Sequence, residues 1–152
     1  MVEKDFKNIN IAVIGLGYVG LPLAVEFSKI FNVIGFDING ERVAELKKGY
    51  DRTLEIDEES ILQSKNLTIS NDESFLDNAN IYIITVPTPI DKNKNPDLYP
   101  LISSSKTVGK YLKKNNIVIY ESTVFPGATE QICIPILEKK SSLVYNKDFF
   151  CG

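Results

Sequence analysis

Three glycines near the N-terminus have the spacing that brings a peptide backbone against phosphate groups. Gly15, Gly17 and Gly20 form the pattern G-x-G-x-x-G directly after the apolar run 11–14. The first glycine permits a tight turn, the second lets the backbone approach a pyrophosphate, and the third lets the next helix lie close to the strand. Free N–H groups at the start of that helix face the anion. The residues predicted to contact a dinucleotide here are Gly15, Leu16, Gly17, Tyr18, Val19 and Gly20.

A carboxylate at the end of the second predicted strand bears on the choice of cofactor. Asp37 follows the apolar run 33–36 and lies 17 positions after Gly20, close to the roughly 20 expected for the acid that binds ribose. Such a carboxylate accepts hydrogen bonds from the adenosine ribose and repels a 2′-phosphate, so the sequence favours NAD over NADP. The alternative is that Asp37 caps the helix predicted at 41–46.

Arg42 lies on the first turn of that helix and has two interpretations. It can pack against the adenine ring or hydrogen-bond its ribose, or it can be a solvated surface cation. The residue type and position leave both open.

Composition excludes several classes of function. The chain has 152 residues, a net charge of −3 and no basic block, so no surface for nucleic acid is predicted. No apolar run approaches the roughly 20 residues of a membrane helix, and the N-terminus lacks the apolar centre of a signal peptide. We therefore expect a cytoplasmic protein of one domain, residues 1–152.

Histidine is absent, and the two cysteines are Cys133 and Cys151. Their number and separation predict neither a disulfide framework nor a metal site. The most common general base and zinc ligand are both missing. Any catalysis by this chain alone has to proceed without them.

Apolar runs alternate with helical patterns along the chain. Strands are predicted at 11–14, 33–36, 67–70, 79–86 and 116–120, and helices after Gly20, at 41–46, 57–62 and 71–78, after an Asp97 cap, and from Pro126-Gly127 with a kink at Pro135. Residues 143–145 begin a further strand or its approach. This alternation predicts an α/β fold, a Rossmann-like doubly wound parallel sheet in a single domain.

The polar segments follow strands, and such sheets bind ligands beyond the carboxyl ends of their strands. We therefore expect one crevice to be formed by four sites. They are the turn 15–20, called the glycine turn, together with Asp37, the segment 86–89 and the segment 121–123. Taken singly, 86–89 could be a stiff exit from its strand, and Ser122 and Thr123 could serve helix capping or β-propensity.

Four segments together resemble the UDP-glucose/GDP-mannose dehydrogenase family. They are Gly15–Ala24, Val86–Asp91, Asn95–Leu98 and Tyr120–Gly127, in the family's order and spacing. The details look most like the branch that acts on UDP-N-acetylhexosamines for bacterial surface polysaccharides. The resemblance implies oxidation of a sugar C6 hydroxyl to a carboxylate in two steps, with two NAD reduced and a cysteine that captures the aldehyde as a thiohemiacetal.

The resemblance also implies roles for individual residues. Thr123 matches a threonine beside the reacting centre, where its hydroxyl helps to hold a catalytic water or the substrate oxygen. Residues near the adenosine and pyrophosphate are the glycine turn, Asp37 and Arg42. The residues along the cofactor are Val86, Pro87, Thr88, Pro89 and Ile90, and those near the nicotinamide are Ser122, Thr123 and Val124.

In this family the cofactor domain is followed by a glutamate-bearing segment, a helical dimerisation domain and a domain with the catalytic cysteine. We therefore expect this chain to be the cofactor domain of a longer dehydrogenase and to be inactive alone. The parent enzyme is expected to be a homodimer or higher oligomer, in which other domains complete the UDP-sugar site. Cys151 is not expected to be the nucleophile. Alternatives are a free-standing NAD-binding or regulatory module, and the cofactor domain of a 6-phosphogluconate or 3-hydroxyacid dehydrogenase, against which the stretch 121–127 argues.

Overall fold

The chain forms one sheet of six parallel strands, seen in a computed structural model that describes residues 8–90 and 96–152. The strand order is β3-β2-β1-β4-β5-β6. This is the order of a doubly wound dinucleotide-binding sheet, and it confirms the predicted α/β, Rossmann-like fold. The strands are β1 (Asn10–Ile14), β2 (Asn32–Phe36), β3 (Leu67–Ser70), β4 (Ile81–Ile84), β5 (Ile117–Tyr120) and β6 (Phe150–Cys151).

Strand β1 lies at the centre of the sheet and feeds two separate apolar cores. Ile11 and Val13 point into one core, and Ala12 and Ile14 point into the other. This follows from the two-residue period of a strand, whose successive side chains face opposite sides. A strand buried on both faces needs continuous apolar sequence, as β1 has.

Within residues 8–90 and 96–152, five α-helices cover the two faces of the sheet. They are α1 (Gly20–Ser28), α2 (Gly40–Lys47), α3 (Glu58–Leu62), α4 (Tyr99–Tyr111) and α5 (Ile134–Ser141). Leu21 and Ala24 of α1 belong to the core of Ile11 and Val13. Leu101 of α4 and Leu137 of α5 belong to the opposite core. A 3₁₀ helix spans Glu73–Asn78, where a short helical turn is predicted.

The end of the chain differs in detail from the prediction. A π-helical turn at Thr129–Cys133 precedes α5. The irregularity predicted as a kink at Pro135 therefore lies just before that residue. Because Pro135 has no N–H, no α-helical hydrogen bond can reach the carbonyl of Gln131, and a wider turn occupies this position. Residues 143–145 are the approach to β6, with Tyr145 in an isolated bridge to Phe149.

The start of α4 also differs from the prediction. Leu98 occupies the cap position without a side-chain bond, whereas Asp97 Oδ1 accepts a hydrogen bond from the Tyr99 N–H at 2.9 Å. Asp97 therefore caps the turn that leads into the helix. Asp91 and Asn95, which belong to the family-like segments, lie outside the described residues. Among residues 8–90 and 96–152, no helix is long and apolar enough to span a bilayer.

Candidate functional site

A crevice of about 540 Å³ opens at the carboxyl ends of β1, β2, β4 and β5. The sheet register places Ile14 beside both Phe36 and Ile84, and Ile84 beside Tyr120. The segments that follow these strands therefore emerge at the same level. The predicted residues that line the crevice are Gly15, Leu16, Gly17, Tyr18, Val19, Asp37, Arg42, Val86, Pro87, Thr88, Ser122 and Thr123.

The structure places four other predicted residues outside the lining of this crevice. Gly20 is buried beneath the glycine turn, where it allows α1 to approach β1. Pro89 and Ile90 are exposed beyond Thr88, and Ile90 bridges to Pro96. Val124 packs against the core that contains α4 and α5. Gly20 is thus positioned for packing, as the glycine motif predicts.

The three motif glycines have different steric environments. Gly15 has a φ of +95°, a conformation that favours glycine, and its N–H donates to the Phe36 carbonyl at 2.8 Å. A Cβ at Gly20 would overlap the Gly15 carbonyl oxygen and the Thr85 hydroxyl. A Cβ at Gly17 would meet no atom within 4 Å. Gly17 therefore borders open space in the crevice.

The start of α1 offers hydrogen-bond donors to an anion. Val19 occupies the N-cap and provides no side-chain acceptor, and the first turn contains no acidic residue. Within residues 8–90 and 96–152, the N–H groups of Gly17, Tyr18 and Val19 have no acceptor. Unpaired N–H groups and the helix dipole both favour a bound anion at such an end.

Asp37 is tied directly to the glycine turn. Its Oδ2 accepts a hydrogen bond from the Leu16 N–H at 2.8 Å, and its Oδ1 accepts one from the Asn39 N–H at 2.9 Å. The cap of α2 is instead Asn39, whose side chain accepts from the N–H groups of Glu41 and Arg42. The capping interpretation of Asp37 is therefore wrong. Each carboxylate oxygen has a further lone pair for a ribose hydroxyl.

Arg42 is buried, with 5% of its surface exposed, so the interpretation as a solvated cation is wrong. Its Nε donates to the Leu16 carbonyl at 2.8 Å, and its Nη2 donates to Asp51 Oδ1 at 2.7 Å. Its Nη1 is buried and has no partner among the described residues. Arg42 thus braces the glycine turn and is fixed in place by Asp51.

Asp51 was not identified from the sequence, yet it anchors this end of the site. Besides Arg42, it accepts hydrogen bonds from the N–H and hydroxyl of Thr53 and from the N–H groups of Glu55 and Ile56. Burial by itself would raise the pKa of Asp51, but these hydrogen bonds outweigh burial and lower the pKa to about 2. Asp51 is therefore a fixed negative charge beside Arg42.

Hydroxyl groups connect the segments that leave β1, β4 and β5. Thr85 Oγ1 donates to the Gly15 carbonyl at 2.7 Å, and Ser122 Oγ donates to the Val86 carbonyl at 2.6 Å. Thr88 Oγ1 donates to the Thr123 carbonyl at 2.5 Å. These bonds hold the predicted nicotinamide end of the crevice together and leave the exposed Thr123 side chain at its surface.

Helix α4 forms a wall of the crevice that was not predicted from the sequence. Tyr99, Ser103 and Thr107 recur every four residues and line the crevice together with Ser104. Residues four apart share one helix face. The repeat of hydroxyl side chains was the available signal, but the helix was predicted from its apolar face alone. Further lining residues are Ile38, Asn39, Arg52, Pro100 and Glu121.

The two cysteines lie away from the crevice. Cys133 is buried and Cys151 is partly buried, and both are free. Burial raises the pKa of both thiols, to about 12 for Cys151. A thiol in this state is a poor nucleophile. Among residues 8–90 and 96–152, no group of side chains could hold a metal ion.

Sequence comparison matches nearly the whole chain to one protein family. Residues 9–150 match the UDP-glucose/GDP-mannose dehydrogenase family, NAD binding domain. The chain is 56% identical over 146 residues to UDP-N-acetyl-D-glucosamine 6-dehydrogenase of Pseudomonas aeruginosa, covering 96% of this chain and 35% of that protein. It is 39% identical over 139 residues to UDP-N-acetyl-D-mannosamine dehydrogenase of Methanocaldococcus jannaschii, covering 86% and 32%. The chain thus spans about a third of the length of these relatives.

Solved structures of two dehydrogenases have a similar fold. The fold matches a ternary complex of GDP-mannose dehydrogenase from Pseudomonas aeruginosa with a TM-score of 0.87 and 27% identity, over 93% of this chain and 34% of that one. It matches UDP-D-ManNAc dehydrogenase from Pyrococcus horikoshii with a TM-score of 0.87 and 34% identity, over 94% and 35%. The chain therefore belongs to the UDP-glucose/GDP-mannose dehydrogenase family and corresponds to its NAD-binding domain.

Proposed function

We propose that this chain binds NAD in the crevice and serves as the cofactor-binding part of a nucleotide-sugar 6-dehydrogenase. The reaction would oxidise the C6 hydroxyl of a UDP-N-acetylhexosamine to the uronic acid for surface polysaccharide synthesis. The observation that carries the proposal is the bond between the Leu16 N–H and Asp37, which joins the phosphate turn to the ribose acid. The substrate class follows the 56% identical relative.

The arrangement of donors and acceptors supports an extended dinucleotide. The free N–H groups of residues 17–19 can donate hydrogen bonds to the pyrophosphate, and the Asp37 carboxylate can accept them from the adenosine ribose. The segments 86–88 and 122–123 would then border the nicotinamide, where bound NAD supplies the hydride acceptor. The α4 hydroxyls would face the cofactor from the opposite side of the crevice. A UDP-sugar partner, a cytoplasmic location and a homo-oligomeric parent belong to the same proposal.

A chimeric protein tests the proposed reaction. This chain, extended by the part of the Pseudomonas aeruginosa relative that follows the matched region, should form NADH when UDP-N-acetylglucosamine is added. The unextended chain should form none, since it has neither histidine nor the family's nucleophile. NAD binding without turnover in the chimera would instead support a free-standing NAD-binding module.

Asp37→Ala should narrow the preference of the chain for NAD over NADP. The substitution removes both an acceptor for the ribose and a negative charge that repels a 2′-phosphate, and charged hydrogen bonds of this kind change affinity by about tenfold to a hundredfold. Isothermal titration calorimetry with each cofactor measures the preference. Asp77→Ala, which removes an exposed carboxylate paired with Lys113, is the control. Equal or tighter NADP binding by the unmodified chain would contradict the role of Asp37.

Thr123→Ala should lower turnover of the chimera more than it weakens NAD binding. Its hydroxyl is expected to hydrogen-bond the reacting oxygen or a catalytic water, and losing one such donor costs about 10² in rate by analogy with oxyanion sites. Steady-state kinetics gives kcat and the KM for NAD separately. The control is Thr68→Ala, an exposed threonine on β3. Unchanged kcat would show that Thr123 does not serve the reacting centre.

A further inference from the structure

Two arginines, Arg42 and Arg52, line the same crevice as Asp37. Arg42 braces the glycine turn to which Asp37 is bound, and Arg52 follows the Asp51 carboxylate that holds Arg42. A guanidinium group binds phosphate in a two-pronged geometry, and an arginine near this position in dinucleotide-binding folds accommodates the 2′-phosphate of NADP. A site selective for NAD therefore has to keep both arginines from this role.

The structure keeps Arg42 from a 2′-phosphate by burial and pairing. Its Nε and Nη2 are engaged by Leu16 and Asp51, and the side chains of Arg42 and Asp51 are 6% and 1% exposed. The Asp51 charge is fixed by four further donor groups, from Thr53, Glu55 and Ile56. Arg42 therefore contributes little net positive charge to the crevice.

Arg52 is accessible, and the Glu45 carboxylate accepts its hydrogen bonds. Its Nε and Nη2 donate to the two oxygens of Glu45 at 2.6 and 2.7 Å. The Arg52 side chain is 42% exposed and the Glu45 side chain is 29% exposed. Glu45 lies on α2, one turn after Arg42, and its pKa is lowered chiefly by the hydrogen bond from Arg52. One of the two guanidinium edges that can bind a phosphate in a two-pronged geometry, Nε–Nη2, is thus already occupied, and the Glu45 carboxylate compensates the charge of Arg52.

We propose that Glu45 is a specificity-determining residue that reserves the crevice for NAD by occupying the Nε–Nη2 edge of Arg52 and compensating its positive charge. Asp37 repels the 2′-phosphate, and Glu45 withholds the cation that would attract it. The inference rests on the proposed function, because it requires the adenosine ribose to lie at Asp37. Exposed ion pairs are weak, so the pair can be separated by substitution without unfolding the chain.

The effect of Glu45 should become visible once the repulsion by Asp37 is removed. In Asp37→Ser, a 2′-phosphate still competes with Glu45 for Arg52. In Asp37→Ser/Glu45→Gln, Arg52 loses the carboxylate that accepts its hydrogen bonds and can turn to the phosphate. The second substitution should tighten NADPH binding about tenfold or more beyond Asp37→Ser alone, as expected for one added charge-assisted contact. Adding Arg52→Ala should cancel this gain.

The experiment measures dissociation constants for NADH and NADPH by fluorescence titration of the unmodified chain and these variants. The matched control is Asp37→Ser/Glu73→Gln, because Glu73 pairs with Lys110 at 2.8 Å with similar exposure, outside the residues that line the crevice. This control makes the same change in net charge. Thermal melting of each variant verifies the fold.

The expected result is a gain in NADPH affinity with Glu45→Gln, no gain with Glu73→Gln, and loss of the gain with Arg52→Ala. The inference is overturned if Glu45→Gln adds nothing, if Glu73→Gln adds as much, or if Arg52→Ala leaves the gain intact. In those cases the unmodified chain still binds NADH and the proposed function stands. Failure of the unmodified chain to bind NADH overturns both.

Discussion

Gly17→Val should abolish NAD binding while the chain keeps its fold. A Cβ at Gly17 meets no atom within 4 Å, and its φ lies outside the left-handed region, so the folded protein can accept the side chain. The isopropyl group would, however, fill the space between the turn and the incoming pyrophosphate. We expect affinity to fall by more than about a hundredfold, which corresponds to the loss of several hydrogen bonds to a charged group.

Gly20→Ala is the matched comparison within the same motif. A methyl group there would overlap the Gly15 carbonyl and the Thr85 hydroxyl, so α1 would have to move away from β1. We expect this smaller substitution to lower the melting temperature, whereas Gly17→Val leaves it near that of the unmodified chain. Circular dichroism gives the melting temperature and calorimetry gives the affinity. Normal NAD binding by a folded Gly17→Val variant would refute the role of the glycine turn.

Asp51→Ala should lower the free energy of unfolding by about 3–5 kcal/mol, the usual cost of removing one partner of a buried ion pair. The Arg42 guanidinium would be left buried without its counter-charge, and the N–H groups of Glu55 and Ile56 would lose their acceptor. Urea denaturation measures the change. Glu73→Ala, which breaks an exposed pair with Lys110, should cost no more than about 1 kcal/mol.

The same carboxylate should give the chain a specific sensitivity to acid. The pKa of Asp51 is lowered from its ordinary value of 3.8 to about 2 in the folded protein. Its contribution to stability is therefore complete above about pH 5 and declines as the pH falls through 3.8 towards 2. In Asp51→Asn this part of the pH dependence should disappear. A full acid-dependent loss of stability in Asp51→Asn would assign it to other groups.

The sheet and the phosphate turn were predictable because their signals are local. The run 11–14 encodes a strand buried on both faces, and Gly15, Gly17 and Gly20 follow a spacing rule set by backbone sterics. Asp37 was singled out by its distance along the chain, and it lies at the glycine turn through its bond to the Leu16 N–H.

Other parts of the site depend on contacts that no spacing rule describes. Arg42 was expected to face either solvent or adenine, but its burial depends on Asp51, whose own position is fixed by the turn that follows it. Asn39 and Asp37 are both residue types that favour the N-cap of a helix. The bond between Asp37 and the Leu16 N–H, with Asn39 as the cap of α2, is seen only in the folded structure. The α4 wall depends on how that helix packs against the sheet.

The alternation of side chains along β1 has a consequence for how the molecule unfolds. Ile11 and Val13 complete one core while Ala12 and Ile14 complete the other, so the two layers of helices share a single strand. Losing either layer would expose one face of β1 to water and remove the support for the second. The halves of the sheet should consequently behave as one cooperative unit, and the phosphate turn at the end of β1 draws its rigidity from both.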